Sequence, residues 1–236
     1  MRPTKRDAAS VGGRCGVGFT LVELLVVVSI IALMMSITLP ALTRAQRQGE
    51  GVHCLGNERQ LTLAWIQYAM DNQDYLCPPE DFARRLEPYA PMREVFVCKA
   101  IQDEGAPDSY GISNAMGGQY RDGVTPNEKL HKIAFASEKM VFVDVEPDSR
   151  GCFWPILREK DAWFWRPWSW PSFGDLQSTT ARHNDGCNMS FADGHCEYTR
   201  WKDSRTLKLI KGLIADPKEA SSDNEDLKRL IAILTR

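Results

Sequence analysis

Formal charge is nearly absent between Phe19 and Leu42, where Glu23 is the one ionised side chain. That scarcity excludes an ordinary solvent-facing helix, which keeps a polar stripe along one side. A basic excess is missing too. The formal net charge is −2, so nucleic acid is excluded as an expected partner. The chain has no His-Glu-x-x-His spacing and no recognisable nucleophile–base pair, so no enzymatic activity is expected. No Cys-x-x-Cys pair supports zinc ligation by cysteine. Neither an internal repeat nor a low-complexity linker demands a second exterior domain.

What is present begins with the apolar run itself. Its 24 residues, 19–42, make a helix of about 36 Å, enough to cross a hydrocarbon layer of ~30 Å. A secretory signal would place its small cleavage residue after the apolar core, whereas Gly18 stands before it. Cleavage at Gly18 would leave the anchor attached. Arg2, Lys5, Arg6 and Arg14 outnumber Asp7 in the first 18 residues, which should hold that end in the cytoplasm and put the rest outside. Glu23 costs about 2.5–3.5 kcal/mol if it sits ionised and alone at the membrane centre, and less near its surface. It lies four residues from Phe19, so a free α-amine there could approach it along one helix face or from a neighbouring molecule. Pro40 lacks a donor for the helix ladder and predicts a kink or a melted segment.

Beyond Pro40 the pattern becomes amphipathic. Gly49 and Gly51 are expected to loosen the helix, and Leu61, Ala64, Trp65 and Tyr68 recur at the spacing of a helix laid against a domain. A short helix is predicted over 81–89, and strands over 94–98 and 140–145, the second of them central. Cys187 to Phe191 and His195 to Trp201 both alternate around Asp193-Gly194 and read as a hairpin. Cys187, Met189 and Phe191 should face the core, Asn188 and Ser190 should face outward, and Cys196 should oppose Phe191. A last helix is expected over 225–234, with Ser222 and Glu225 as a capping box and Leu227, Leu230, Ile231 and Leu234 as its stripe.

The run Gly18-Phe19-Thr20-Leu21-Val22-Glu23, with the apolar stretch behind it, closely resembles the processing and methylation site of type IV prepilins and type II secretion pseudopilins. The segment from Arg182 to His195, with nine residues between His183 and Asp193-Gly194, resembles the C-terminal H-X9-DG motif of a class of prepilin-like proteins. Cys54 to Leu61 and Ser109 to Asn114 echo the same class. The resemblance implies an α+β pilin-like fold, with a long membrane helix continuing into an amphipathic helix on a small antiparallel sheet. It implies a leader over 1–18, a membrane span over 19–42, an amphipathic continuation over 43–75 and an exterior domain over 76–236. It further implies cleavage between Gly18 and Phe19 by a prepilin peptidase, methylation of Phe19, and a role for Glu23 in assembly with other pilin or pseudopilin subunits. The body would then sit on the outer side of the inner membrane, anchored by one pass.

Several candidate sites stay open. His183, Asp193 and His195 offer ligands for a divalent metal, with Asp144 or Asp185 as a further oxygen donor. Alternatively Asp193 caps its own turn and His183 donates to a backbone carbonyl. No cofactor is otherwise expected. Cys54, Cys77 and Cys98 are the candidates for a disulfide between helix and body, although six cysteines outside the leader allow fifteen pairings. Trp163, Trp165, Trp168 and Trp170 offer a platform for sugar rings or a partner, or else a cover for a thin core. The expected function is a structural pseudopilin-like subunit. The alternative is a membrane-tethered binding module that uses the tryptophan-rich segment on glycans or proteins.

Overall fold

A computed structural model of the chain describes residues 19–101, 108–118, 125–145, 152–153, 156–157, 163–164, 180–211, 213 and 222–235. The fold is α+β and divides into two compact units, Met1–Arg44 and Ala45–Arg236. One helix, α1 (Leu21–Asp71), belongs to both.

In the first unit every residue from Phe19 to Arg44 is exposed, including sixteen large apolar side chains. Burying such a side chain is worth about 1.5–3 kcal/mol, so leaving all of them wet would cost tens of kcal/mol, more than the net stability of a domain. This helix is long and apolar enough to cross a membrane. Its hydroxyls need no water. Ser29 donates to the Leu25 carbonyl at 2.7 Å, Ser36 to Leu33 at 2.7 Å, Thr38 to Met34 at 2.7 Å and Thr43 to Leu39 at 3.0 Å. The predicted melting at Pro40 does not occur, and the helix also runs through Gly49 and Gly51.

In the second unit, α1 turns Cys54, Asn57, Glu58, Leu61, Thr62, Ala64, Trp65 and Ala69 into the body. The expected face is there, with Tyr68 at its margin. After α1 come a 3-10 turn (Pro79–Asp81) and α2 (Phe82–Leu86), shorter than predicted. The strands are β1 (Tyr110–Ser113), β2 (Met140–Asp144), β3 (Cys152–Phe153), β4 (Ile156–Leu157), β5 (Trp163–Phe164), β6 (Gly186–Phe191) and β7 (Cys196–Arg200). Five form a sheet in the order β3-β1-β2-β6-β7, of which β1, β2, β6 and β7 pair antiparallel. The central strand is β2, as its apolar run suggested, and all five of its residues are buried.

Three expectations about the sheet need correction, and one strand was not among them. Residues 94–98 form no strand: Arg93–Phe96 is a 3-10 turn, and Val95, Phe96 and Cys98 all enter the core from it, so this apolar run needs no pleat. Ser109 to Asn114, read only as a motif echo, contains β1. Asn188 and Ser190 do not face water, because α1 covers that side of the sheet. Asn188 Nδ2 donates to the Gly51 carbonyl at 3.1 Å, and Thr62 Oγ1 donates to Ser190 Oγ at 2.7 Å. Finally, Cys196 opposes Ser190 instead of Phe191. The loop has three residues, Ala192 to Gly194, with Phe191 and His195 paired across it, and Gly194 takes the left-handed conformation (φ +91°) that such a loop requires. Cys187 lies opposite Thr199, so the two hairpin cysteines are apart in register, as expected.

Helices α3 (Ser204–Ile210) and α4 (Glu225–Thr235) close the described chain. Leu227 and Leu230 of the predicted stripe are buried, Ile231 packs beside them, and the Leu234 side chain lies outside what is described. The cap of α4 is Asn224 instead of Ser222. Its Oδ1 accepts from Leu227 N at 2.9 Å while its Nδ2 donates to Thr206 Oγ1 at 2.9 Å. Replacement of Asn224 by Ala should therefore cost about 1–2 kcal/mol in chemical denaturation, whereas Ser222→Ala should fall within about 0.5 kcal/mol of wild type. The reverse ranking would restore the predicted cap.

Candidate functional site

The chain presents two places where polar chemistry is concentrated. The first is the start of α1. Thr20 and Glu23 form a capping box: Glu23 Oε2 accepts from Thr20 N at 2.8 Å and from Thr20 Oγ1 at 2.7 Å, while Glu23 N donates to Thr20 Oγ1 at 3.2 Å. The carboxylate thus satisfies donors at the end of its own helix through one oxygen. Phe19, the proposed new terminus, is exposed, while Gly18 lies outside the described residues. The Thr-x-x-Glu spacing of a capping box is present in the sequence, on the same acid whose charge calls for an amine.

The second place is a buried cluster that no single stretch of sequence displays. Cys54 and Glu58 enter from α1, Cys98 from the loop after the Arg93–Phe96 turn, Tyr110 from β1, Asp144 from β2, and His183 from the turn before β6. Local chemistry fixes that last turn. Asn184 (φ 53°) and Asp185 (φ 61°) both adopt the left-handed conformation, and His183 and Gly186 exchange backbone hydrogen bonds at 3.3 and 3.1 Å, the arrangement of a two-residue hairpin turn. Tyr198 OH holds the Asn184 carbonyl at 2.8 Å and Lys211 Nζ holds Asp185 Oδ1 at 2.9 Å. A Cβ on Gly186 would meet the Thr199 carbonyl at 2.2 Å, so a side chain there would force the strands apart.

Inside the cluster, Cys54 Sγ stands 2.7 Å from Cys98 Sγ, Cys98 Sγ 3.4 Å from His183 Nε2, and His183 Nε2 3.5 Å from Asp144 Oδ2. Asp144 Oδ2 also accepts from Asn188 N at 2.8 Å. Tyr110 OH donates to the Cys54 carbonyl at 3.5 Å, and Asn57 Nδ2 to the Val97 carbonyl at 3.3 Å. Thus Cys54-x-x-Asn57, Tyr110 and His183, which belong to the three separated motif echoes, meet in one place. Among the described residues, both Glu58 oxygens, Asp144 Oδ1 and His183 Nδ1 have no hydrogen-bond partner.

Burial governs the titration here. It pushes Asp144 up to about 6, against the pull of His183, Arg182 and the Asn188 N–H, and it pushes Glu58 well above the carboxylate range, helped by Asp144 and Cys54. Burial alone would lower His183, but the Cys54 sulfur and the Asp144 carboxylate outweigh it and the net direction is up. Hydrogen bonding from Cys98 holds Cys54 well below the usual thiol value, and Cys98 is pushed up in turn.

The ligand set predicted for a metal does not assemble. Among the described residues the ligand-type side chains that converge are Cys54, Cys98 and His183, within 4.8 Å of one another. Asp193 and His195 lie on the exposed hairpin loop. There Asp193 Oδ1 accepts from His195 N at 3.1 Å and meets His195 Nδ1 at 2.6 Å, and the imidazole stacks on Phe191 at 4.3 Å between centroids. Asp193 therefore caps its own turn, the structural role weighed for it, while His183 faces a thiol and a carboxylate instead of a carbonyl. A tetrahedral zinc site has ligand–ligand edges of about 3.3–3.8 Å; the sulfur–nitrogen and nitrogen–oxygen separations fit it, and the sulfur–sulfur separation is about 1 Å too short. Cys77 stands elsewhere, its thiol 3.7 Å from the Pro78 carbonyl. Of the tryptophan platform only the Trp163 backbone is described, in β5, while Trp165, Trp168 and Trp170 lie outside the described residues. A surface hollow lined by Glu80, Asp81, Arg84, Glu87, Arg93 and Asp108 pairs Asp81 with Arg84 and Asp108 with Arg93 and carries an excess of acid from Glu80 and Glu87.

Comparison of the chain with protein-family models, curated proteins and solved structures gives no match.

The cluster makes a pH dependence testable. An acid whose pKa rises on folding, from 3.8 to about 6 for Asp144, binds a proton in the folded state that the unfolded chain has already lost. Its stabilising effect is complete below the unfolded value and disappears as pH rises through about 6, an effect on the order of 2–3 kcal/mol. Glu58 and His183 shift in the same sense, whereas the lowered Cys54 thiol acts in the opposite one for as long as it is reduced. The Asp144 share is read by difference: the melting temperature at pH 5 minus that at pH 7.5 should be smaller for Asp144→Asn, which keeps an acceptor for Asn188 N, than for the wild-type full chain in detergent.

Proposed function

We propose that this protein is a structural, pseudopilin-like subunit, processed at Gly18–Phe19, anchored by the first half of α1 and assembled through that helix with related subunits on the outer side of the inner membrane. The observation that carries the reading is the contrast between the two parts of α1. From Phe19 to Arg44 no side chain is buried, and the serine and threonine hydroxyls are all satisfied within the helix, which suits a hydrocarbon surrounding. From Cys54 onward the same helix provides the spine of a compact α+β body. A helix dressed for lipid at one end and for a soluble domain at the other is what an anchored filament subunit needs.

Glu23 retains its proposed part in assembly, with a modification. One carboxylate oxygen is engaged by Thr20, and the other remains for the terminal amine of a neighbouring subunit. The cap lowers the cost of the acid near the membrane surface without removing its charge.

Mass spectrometry of the protein extracted from membranes should find a mature chain beginning at N-methylated Phe19; an intact precursor in the cytosol would end the reading. Glu23→Leu and Glu23→Gln should both insert, and both should lose co-purification with partner subunits by about tenfold or more, the effect of one ion pair worth ~1.4 kcal/mol. Glutamine can still serve the capping box. Normal assembly of Glu23→Gln would therefore assign Glu23 to the cap alone.

A further inference from the structure

We propose that Cys54 and Cys98 are joined by a disulfide in the exported protein, a covalent staple between α1 and the body. This rests on the reading above insofar as it needs the body to fold outside the cytoplasm.

Two sulfurs that are not bonded keep a separation of about 3.5–4.0 Å. Cys54 Sγ and Cys98 Sγ are 2.7 Å apart, inside that limit, and both cysteines are fully buried. Two arrangements relieve the crowding. A shared metal ion would require the sulfurs to open by about 1 Å, whereas a bond of ~2.05 Å requires them to close by about 0.7 Å. The bond is the smaller displacement. It also removes the thiolate that would otherwise stand beside the carboxylates of Asp144 and Glu58, two buried acids already driven toward their neutral forms. The other described cysteines have no comparable partner: Cys77 contacts a carbonyl, and Cys187 and Cys196 face Thr199 and Ser190 across the hairpin. The three candidates named from sequence thus reduce to one pair, and Cys77 has no sulfur partner among the described residues.

The reaction is a thiol oxidation. Both S–H bonds break and one S–S bond forms, with two electrons and two protons passing to the disulfide of a dithiol oxidase, which becomes a dithiol. Both sulfurs are sealed from solvent in the finished fold, so the oxidation takes place before α1 finishes docking. The completed bond is then out of reach of small thiols.

The test uses the full-length wild-type chain, extracted from the cell envelope under denaturing conditions with N-ethylmaleimide present and no reductant, then digested. The expected result is a Cys54 peptide linked to a Cys98 peptide, with neither carrying the label, and recovery of both labelled peptides only after reduction. Cys54→Ser should expose Cys98 to label completely. Labelling of both Cys54 and Cys98 in the wild-type protein overturns the staple. If in addition native mass spectrometry of undenatured protein finds one zinc per chain that chelation removes, the cluster is a metal site. The same digest reads the N-terminal peptide. A linked pair in an unprocessed chain overturns the filament reading and leaves the staple standing. A chain that starts at Phe19 with both thiols labelled does the reverse.

Discussion

The body depends on how the second half of α1 is held against the sheet. Apolar contacts alone would let a helix slide by a turn at small cost, since one aliphatic side chain can replace another. Here the position along the axis is fixed by polar groups that fit only one register: Asn188 to the Gly51 carbonyl, Tyr110 to the Cys54 carbonyl, Asn57 to the Val97 carbonyl, and Thr62 to Ser190. The side chains that make these bonds are buried and the Gly51 and Val97 carbonyls partly so, so a slip would leave several of them unpaired, at about 1–3 kcal/mol apiece. The sequence echoes in three distant segments make sense as parts of this single docking device.

The device has a cost in charge. Glu58 and Asp144 lie in the same dry interior as His183, with the half-buried Arg182 beside them. Arg182 is drawn toward the Val145 and Ser109 carbonyls and offsets part of the acidic potential. The cluster therefore specifies where the helix sits more than it adds to stability, a role buried ionic groups have in some other proteins.

Much of this was legible in the sequence. The apolar run, the central strand 140–144 and the Asp193–Gly194 hairpin follow from periodicity, because each is a local pattern with a local cause. The apolar run 94–98 misled because a short hydrophobic stretch does not distinguish a strand from a turn pressed into the core. Asn188 and Ser190 were placed outside by a rule that assumes one wet face, and it fails when a helix lies over polar strand positions. The members of the Cys54–Cys98–His183–Asp144 cluster are candidates in the sequence, Cys54 with Cys98 and His183 with Asp144, but no local pattern joins the two pairs. They are separated by dozens of residues and only the sheet topology brings them together. Thr20 and Glu23 are the opposite case, a Thr-x-x-Glu signature present in the letters whose cap engages one carboxylate oxygen and leaves the charge in place.

Cys54 is the first fully buried residue of α1, counted from its N-terminal end, three residues after the Gly51 carbonyl that Asn188 holds. In the proposed anchored subunit, a pull along the helix would meet one hydrogen bond at Gly51 and then the buried body at Cys54. With a bond from Cys54 to Cys98, the pull passes straight into a second strand of backbone, and the docking hydrogen bonds behind it are shielded from being peeled away one by one. The staple then acts as a cleat: a fibre built from such subunits could be dragged or retracted without unfastening the domain from its own stem.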